Sequence, residues 1–296
     1  MAQPNTKYNA EVDALLKQMT LEEKIGQMTQ LTFGIFSDNS QPKFNIRKDD
    51  LKKAIVQFNV GSILNNAQDH AQTMEEWHQM INTIQDYATK ETRLKIPVLY
   101  GVDAIHGATY ITNSTLFPQQ IGVGCSRNTL YASEMGRLTA MSTRATGVRW
   151  NFAPVLEVGR SPLWSRFPET FGESTQLAQE MGVANITGTQ GKSVADITAV
   201  AACMKHFIGY SGTNSGKDRT NAYIPETILR DVYLPPFRSA VNAGAKTVMI
   251  NSGDINGIPV HANKKILTDL LRKELGFEGL AVTDWEDITK LVNRHR

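Results

Sequence analysis

The 296-residue sequence lacks the features that define several broad classes of protein. It has no apolar run near the about 20 residues that a transmembrane helix needs, so no membrane span is predicted. Its formal net charge is only +2 with mixed signs, so the sequence does not indicate a basic surface that would bind nucleic acid or an acidic membrane. Its first residues, MAQPNTKYNAEVDALL, contain no basic stretch followed by an apolar core, so no signal peptide is visible.

Motifs of several enzyme classes are also missing. No GxGxxG follows a predicted strand, which disfavours a dinucleotide-binding fold. Neither GxSxG nor HExxH occurs, and the six histidines, among them His295, show no metal-ligand spacing. The sequence therefore predicts no metal and no cofactor. Cys125 and Cys203 each lie in or near an apolar or small-residue stretch and are predicted to be buried free thiols, with a single disulfide between them as the alternative.

The sequence does contain an alternation of short apolar runs and amphipathic stretches. Two N-terminal helices are predicted, and Thr20 with Glu23 forms a capping box for the second one. Strands are predicted at 28–33, 61–64, 97–102, 148–155, 199–207, 247–250 and 280–283. Further helices are predicted at 73–90, 129–147, 176–188, 226–243 and 264–275. Apolar strands separated by helices indicate a parallel sheet.

The length and the strand number favour one α/β fold over an open doubly wound sheet. A single α/β barrel typically takes about 250 residues, so residues 1–296 are interpreted as one domain. Seven predicted strands are one fewer than the eight of a (β/α)8 TIM barrel. We therefore expect an incomplete barrel of this type, without its closing strand and helix.

Polar residues follow several of the predicted strands. Each has a structural explanation alone, such as a helix cap, a turn or an ion pair, and Arg166 with Glu169 or Glu173 is predicted to be such a pair. Catalytic groups of α/β barrels come from the carboxyl ends of the strands, however, and these residues come from several strands. They are therefore predicted to line one pocket. The residues are Asp103, Arg160, Lys205, His206, Asp284 and Trp285.

The chemistry of this set suits a sugar, because it combines many directional donors and acceptors with one flat apolar indole. Glycosidic bonds are cleaved by a pair of carboxylic acids, about 5–5.5 Å apart in retaining enzymes. A nearby Lys205 or Arg160 would keep Asp284 ionised. An aldolase that uses Lys205 to form a Schiff base is an alternative on these residues alone.

Ordered sequence blocks give a more specific indication. They are LLKQMTLEEKIGQM, GVDAIHG, LFPQQIG, NFAPVLEVGRSP, ETFGE, ACMKHFIGY, INGIPVHAN and GFEGLAVTDW. Through them the sequence, from about Val12 to its last residue, resembles glycoside hydrolase family 3, the β-glucosidase and exo-glucanase group. The resemblance implies a (β/α)8-like barrel, usually followed by an α/β sandwich domain. It also implies a periplasmic or secreted protein.

The resemblance implies a role for each residue of the predicted pocket. Asp284 would be the nucleophile that forms a covalent glycosyl intermediate in retaining hydrolysis of terminal β-D-glucosyl residues from glucosides or oligosaccharides. Trp285 would pack beside the sugar. The residues that would hydrogen-bond the sugar in the −1 subsite are Asp103, Arg160, Lys205 and His206. A β-xylosidase, another β-glycosidase of the family and a non-catalytic sugar-binding remnant are the alternatives.

The sequence departs from the family pattern in three places. GRSPLWSR stands where members often have GRDPRWGR, and Ser252 stands where many have a tyrosine near the nucleophile. The loop IGYSGTNSGKDRTNAYIPE contains no histidine, unlike that of the single-domain N-acetylglucosaminidases. Two-domain members take their acid/base glutamate from a second domain that this sequence lacks. We therefore expect a C-terminally truncated barrel domain with unpaired edges that favour self-association.

Overall fold

The computed structural model describes residues 6–38, 40, 44–67 and 70–293 of the chain. The chain forms two compact units, of which the first comprises Met1–Val102 and Thr146–Val148. The second comprises Asp103–Ala145 and Arg149–Arg296. His295 and the rest of the C-terminal LVNRHR stretch after Asn293 lie outside the described residues.

The first unit contains three parallel strands, which pair in chain order. These are β1 (Gln30–Thr32), β2 (Ser62–Leu64) and β3 (Leu99–Val102). Its helices are α1 (Thr6–Gln18), α2 (Leu21–Gln27), α3 (Lys48–Lys52), which continues as a π-helix (Lys53–Gln57), and α4 (Met74–Asp86), which continues as a second π-helix (Tyr87–Glu91).

Side-chain capping fixes where two of these helices begin. The Thr20 hydroxyl accepts from the backbone N–H of Glu23, and the Glu23 carboxylate accepts from the backbone N–H of Thr20. This capping box confirms the start predicted for the second helix. The same reciprocal pair, formed by Thr73 and Glu76, precedes α4. Each pair satisfies two backbone donors that a helix N-terminus otherwise leaves unpaired.

The second unit contains four parallel strands and a short antiparallel hairpin. The parallel strands pair in the order β4 (Trp150–Asn151), β5 (Ala201–Phe207), β6 (Thr247–Ile250) and β9 (Leu280–Val282). The hairpin consists of β7 (Asp254–Ile255) and β8 (Ile258–Pro259). Within the described chain, β9 pairs only with β6, so its other edge is open.

Helices connect the strands of the second unit. They are α5 (Gln120–Cys125), α6 (Thr129–Ala145), α7 (Thr175–Gln190), α8 (Glu226–Ile228), a π-helix (Leu229–Tyr233), α9 (Leu234–Asn242), a further π-helix (Lys265–Glu274) and α10 (Asp287–Asn293). No helix among the described residues is long and apolar enough to cross a bilayer.

The apolar core of the second unit fixes β5 at its centre. Met204, Phe207, Val248 and Ile250 are buried there, and Phe237 packs edge-on against Phe207. Six of the seven β5 residues are buried, which matches the near-continuous apolar character of a strand covered on both faces. The polar residues at the carboxyl end of β5 are therefore carried by a rigid, fully packed element.

Every predicted strand run contains a strand, and two details differ from prediction. β4 is much shorter than the predicted 148–155, because Pro154 has no N–H to donate to a sheet. Pairing resumes beyond it as an isolated bridge between Val155 and Lys205. Both cysteines are free as predicted and Cys203 is buried, but Cys125, the last residue of the short α5, is exposed rather than buried.

Candidate active site

The carboxyl ends of β5 and β9 carry the polar residues of the site. β6 lies between these two strands and is parallel to both, so the carboxyl ends of β5 and β9 lie on the same side of the sheet. Lys205 and His206 belong to β5 and are buried, and Asp284 follows β9 after a single intervening residue. The Asp284 side chain is 12% exposed. The arrangement therefore presents a largely buried carboxylate beside two buried basic side chains.

The two oxygens of the Asp284 carboxylate have different surroundings. Oδ1 accepts from the backbone N–H of Trp285 at 2.5 Å and from Nη2 of Arg219 at 3.3 Å. Oδ2 is buried and accepts no hydrogen bond from any described residue. Nε2 of His206 lies 3.7 Å from Oδ2, and Nη1 of Arg166 lies 3.9 Å from it. Hydrogen bonds therefore hold Oδ1 in place, whereas Oδ2 has no hydrogen-bond donor among the described residues.

Opposing influences set the ionisation of Asp284. Burial is the largest of them and raises its pKa, but the positive charge of Arg219 and the hydrogen bond from the Trp285 N–H lower it. The charges of Arg166 and Lys205 lower it further, so the net pKa of Asp284 is below its usual value. The side chain is therefore an ionised carboxylate at neutral pH.

His206 is oriented by Glu157. Oε1 of Glu157 lies 3.0 Å from Nδ1 of His206 and also accepts from the backbone N–H of His206. Burial, followed by the charges of three nearby cationic side chains, lowers the pKa of His206 well below 6.5. The imidazole is therefore neutral. Since Oε1 is already an acceptor, we assign the imidazole proton to Nδ1, which leaves Nε2 as an acceptor.

Glu157 itself carries a perturbed carboxyl group. Burial raises its pKa from 4.5 to about 8, although the backbone hydrogen bond with His206 and the charge of Arg166 lower it. Its Oε2 is buried without a hydrogen-bond partner among the described residues. The sequence analysis did not select Glu157, because a glutamate in a loop rich in charged residues has no distinguishing pattern.

Lys205 and Asp103 form an ion pair. Nζ of Lys205 donates to Oδ1 of Asp103 at 2.7 Å, and the Asp103 side chain is 31% exposed. The predicted pocket residues from β5 and from the segment after β3 thus meet. The second Asp103 oxygen is not engaged by the ion pair, so the carboxylate presents an acceptor next to the buried ammonium group.

Arg166 forms the ion pair predicted from the sequence, but it also faces the site. Its guanidinium donates to both carboxylate oxygens of Glu169, at 3.0 and 2.8 Å. It lies over the Tyr210 ring, with 5.8 Å from Cζ to the ring centroid. The same group approaches Asp284. The bidentate pair with Glu169 fixes the guanidinium in this position.

Arg160 and Trp285 are the two predicted site residues whose side chains are exposed. The Arg160 side chain is exposed and makes no hydrogen bond or ion pair with the described residues. The Trp285 indole is 48% exposed, and the hydrogen bonds of this residue come from its backbone. The roles assigned to the six predicted residues stay predictions.

Arg219 is the contact of Asp284 that the sequence analysis missed. It lies in the loop between the 3-10 turn Tyr210–Gly212 and α8, whose sequence was notable only for its lack of histidine. Its guanidinium reaches Ser252, Asp284 and Asp287. The residue letters of a loop do not predict such long-range contacts. In the described chain, no group of three or more His, Cys, Asp or Glu side chains is arranged to hold a metal ion.

Comparison with protein families gives a match over most of the chain. The model of the glycosyl hydrolase family 3 N terminal domain matches residues 20–296. A lysosomal β-glucosidase of Dictyostelium discoideum is 44% identical over 297 residues, covering 96% of this chain and 36% of the relative. A periplasmic β-glucosidase of Salmonella typhimurium is 34% identical over 284 residues, covering 96% of this chain and 34% of the relative.

A solved structure extends the similarity to the fold. The crystal structure of an exo-1,3/1,4-β-glucanase from a Pseudoalteromonas species superposes with a TM-score of 0.83 at 33% identity. The match covers 94% of this chain and 34% of the glucanase chain. With its seven parallel strands, the chain has the fold predicted from the sequence, an incomplete (β/α)8 TIM barrel. It spans about a third of the length of these relatives.

Proposed function

Because the chain belongs to glycoside hydrolase family 3, we propose that it is the nucleophile-bearing part of a retaining β-glucosidase. Its substrates would be glucosides or oligosaccharides that end in a non-reducing β-D-glucosyl residue. The observation that carries the proposal is the Asp284 carboxylate, with a lowered pKa, one oxygen held by donors and the other without a hydrogen bond.

In the proposed first step, Oδ2 of Asp284 attacks the anomeric carbon of the glucosyl residue. A bond forms between Oδ2 and this carbon as the bond to the aglycone oxygen breaks, and the aglycone leaves with the bonding electron pair. Water then attacks the same carbon from the face opposite the ester, the bond between Oδ2 and this carbon breaks, and the proton that water loses neutralises the released aglycone anion. Two inversions give retention of configuration.

The neighbouring polar groups match the hydroxyl groups of a glucosyl unit. Asp103 offers carboxylate acceptors, Lys205 offers charged donors and Nε2 of His206 offers an acceptor. Arg160 would approach from the rim, where its exposed side chain is free to turn toward a ligand. The exposed Trp285 indole would cover one face of the sugar ring.

The proton donor for the leaving group would come from a second domain, as in two-domain family members. This accords with a chain that spans about a third of its relatives. The chain alone would then cleave ordinary glucosides slowly, while an activated aryl glucoside would still glycosylate Asp284, because its leaving group needs little protonation. The similarity to a periplasmic relative supports a periplasmic or secreted location.

Mass spectrometry with a mechanism-based label tests the proposal. We expect 2,4-dinitrophenyl 2-deoxy-2-fluoro-β-D-glucoside to add one fluoroglucosyl group per chain, mapped by peptide digestion to Asp284. Asp284→Asn should remain unlabelled under the same conditions. The corresponding xyloside should label more slowly. An adduct on another residue, equal labelling of Asp284→Asn, or faster labelling by the xyloside would contradict the proposed role or the proposed sugar.

A further inference from the structure

The guanidinium of Arg219 joins the nucleophile to a buried polar cluster. Its Nη2 donates to Oδ1 of Asp284 at 3.3 Å. Its Nη1 donates to Oγ of Ser252 at 2.6 Å and to Oδ1 of Asp287 at 3.3 Å. The carbonyl of Trp285 also accepts from Nη1, at 3.4 Å. The two ends of one planar, rigid group therefore contact residues on both sides of the turn that follows β9.

The cluster on the Nη1 side is itself fixed. Oγ of Ser252 donates to Oδ2 of Asp287 at 2.6 Å, and the Asp287 side chain is almost fully buried. Nζ of Lys290 donates to Oδ1 of Asp287 at 2.9 Å, and Nε2 of His261 lies 3.5 Å from Oδ2 of Asp287. Asp287 thus has partners on both oxygens, and Arg219 is attached to a well-anchored carboxylate rather than to a mobile one.

These contacts restrict the Asp284 carboxylate. Arg219 and the N–H of Trp285 both donate to Oδ1, so rotation of the carboxylate about its Cβ–Cγ bond would break both hydrogen bonds. Oδ2 is the oxygen that no described residue holds. Arg219 thereby selects which oxygen faces the site, besides contributing positive charge to it.

The identity of residue 252 is one of the departures from the family pattern, and it takes part in this arrangement. Ser252 occupies a place where the sequence resemblance leads one to expect a tyrosine beside the nucleophile. The Ser252 hydroxyl accepts a hydrogen bond from Arg219 and donates one to Asp287. Arg219 itself is 27% exposed, more buried than the surface ion pairs that contribute little.

We propose that Arg219, Ser252 and Asp287 form a positioning clamp that holds the Asp284 carboxylate with Oδ2 directed at the anomeric carbon. The proposal rests on the proposed function for the identity of the reaction. The geometry of the clamp itself does not depend on it. Arg219 is a positioning residue, because its contacts are with Asp284 and the polar cluster.

Direct titration of the Asp284 carboxyl tests the clamp without any substrate. The carboxyl 13C signal, assigned by its loss in Asp284→Asn, is followed against pH in the full chain. Arg219→Gln should raise the pKa of Asp284 by about one unit or more, because burial then acts against fewer positive charges. Arg230→Gln removes a partly exposed arginine of the same unit that pairs with Glu226 and Glu274, and it should leave this pKa unchanged.

Labelling rates test the positioning separately from the charge. Arg219→Lys keeps a positive charge but cannot bridge Ser252 and Asp284 as a planar fork does. The pKa of Asp284 in this variant should be close to that in the unmodified chain. Labelling by the activated fluoroglucoside should nevertheless be about tenfold slower than in the unmodified chain. Ser252→Ala should show a smaller loss of labelling rate, because it removes one support of Arg219.

The outcomes separate the clamp from the proposed function. If the unmodified chain is labelled at Asp284 and both Arg219 variants match it in pKa and rate, the clamp is wrong. If nothing labels Asp284, the β-glucosidase proposal fails, whereas a pKa of Asp284 that Arg219→Gln leaves unchanged overturns the contact on which the clamp depends. If Arg219→Gln loses its cooperative thermal transition, the labelling rates of Ser252→Ala and Arg219→Lys are compared with that of the unmodified chain, and unchanged rates in both variants overturn the clamp.

Discussion

Glu157 and His206 are joined twice through a single carboxylate oxygen. Oε1 of Glu157 accepts from the backbone N–H of His206 and lies 3.0 Å from Nδ1 of the same residue. The glutamate therefore fixes both the backbone and the ring of a histidine at the carboxyl end of β5. Burial raises the pKa of Glu157 to about 8, so its titration should make the stability of the chain depend on pH.

We expect the stability of the chain to fall as pH rises toward 8 because of Glu157. A carboxyl with a folded-state pKa of about 8 and an ordinary value of 4.5 binds more protons in the folded state between these values. Its contribution to the free energy of unfolding is therefore fully present below 4.5 and is lost as pH approaches 8. Below pH 6.5 the buried His206, whose pKa is lowered, adds stability as pH rises and so opposes this loss. Above pH 6.5 that opposing effect has ended, and the free energy of unfolding should fall by on the order of 1 kcal/mol or more.

Glu157→Gln isolates this effect, because it keeps an oxygen acceptor for His206 and removes the titration. Thermal unfolding of both proteins from pH 6.5 to 8 gives the measurement. The melting temperature of the unmodified chain should fall relative to that of the variant. If the melting temperatures of the two proteins change with pH by the same amount across this range, Glu157 does not titrate there.

The ion pair of Asp103 with Lys205 predicts unequal effects of its two truncations. Asp103→Ala leaves the buried Lys205 ammonium without its partner, whereas Lys205→Met leaves Asp103 with access to water. We expect Asp103→Ala to lower the free energy of unfolding by about 3 kcal/mol, and Lys205→Met to lower it less. Urea titration of the two variants measures both. A larger loss for Lys205→Met would show that Lys205 contributes mainly through packing.

The open edge of β9 predicts self-association. Leu280 on this strand is 47% exposed, and β9 pairs only with β6 in the described part of the chain. Leu280→Lys should shift the chain toward the monomer in light scattering coupled to gel filtration, because a lysine at a strand edge discourages pairing with another edge. Leu130→Lys, which changes an equally apolar and more exposed residue on α6, should leave the distribution unchanged. Equal effects of both substitutions would assign association to general surface hydrophobicity.

The proposed absence of an acid catalyst predicts a strong dependence on the leaving group. Glycosylation of Asp284 should be fast with 2,4-dinitrophenyl β-glucoside and much slower with methyl β-glucoside, since the latter needs protonation to depart. Burst kinetics for the first compound and the initial rate for the second provide the comparison. Similar rates for both would indicate an acid catalyst within this chain.

The sequence predicted the strand ends well, because apolar runs and their boundaries are local properties. Lys205, His206 and Asp284 could be assigned to strand ends from these local patterns alone. Glu157 and Arg219 could not, since their importance comes from contacts across 49 and 65 residues of sequence. Arg160 shows the opposite case, in which a matching motif gave no contact of the side chain with the described site.

The supports of the two halves of the site differ in stiffness. β5, which carries Lys205 and His206, is hydrogen-bonded to a neighbour on each side, whereas β9, which precedes Asp284, has one such neighbour in the described chain. Because β9 has fewer strand neighbours, we expect thermal opening of the sheet to displace Asp284 before it displaces Lys205 and His206. Arg219 links the loop after β5 to the turn after β9, and so acts as a strut across the weaker support. A segment that pairs with the free edge of β9 would reduce this displacement of Asp284. Pairing at that edge would therefore also affect how precisely Oδ2 of Asp284 is placed for attack.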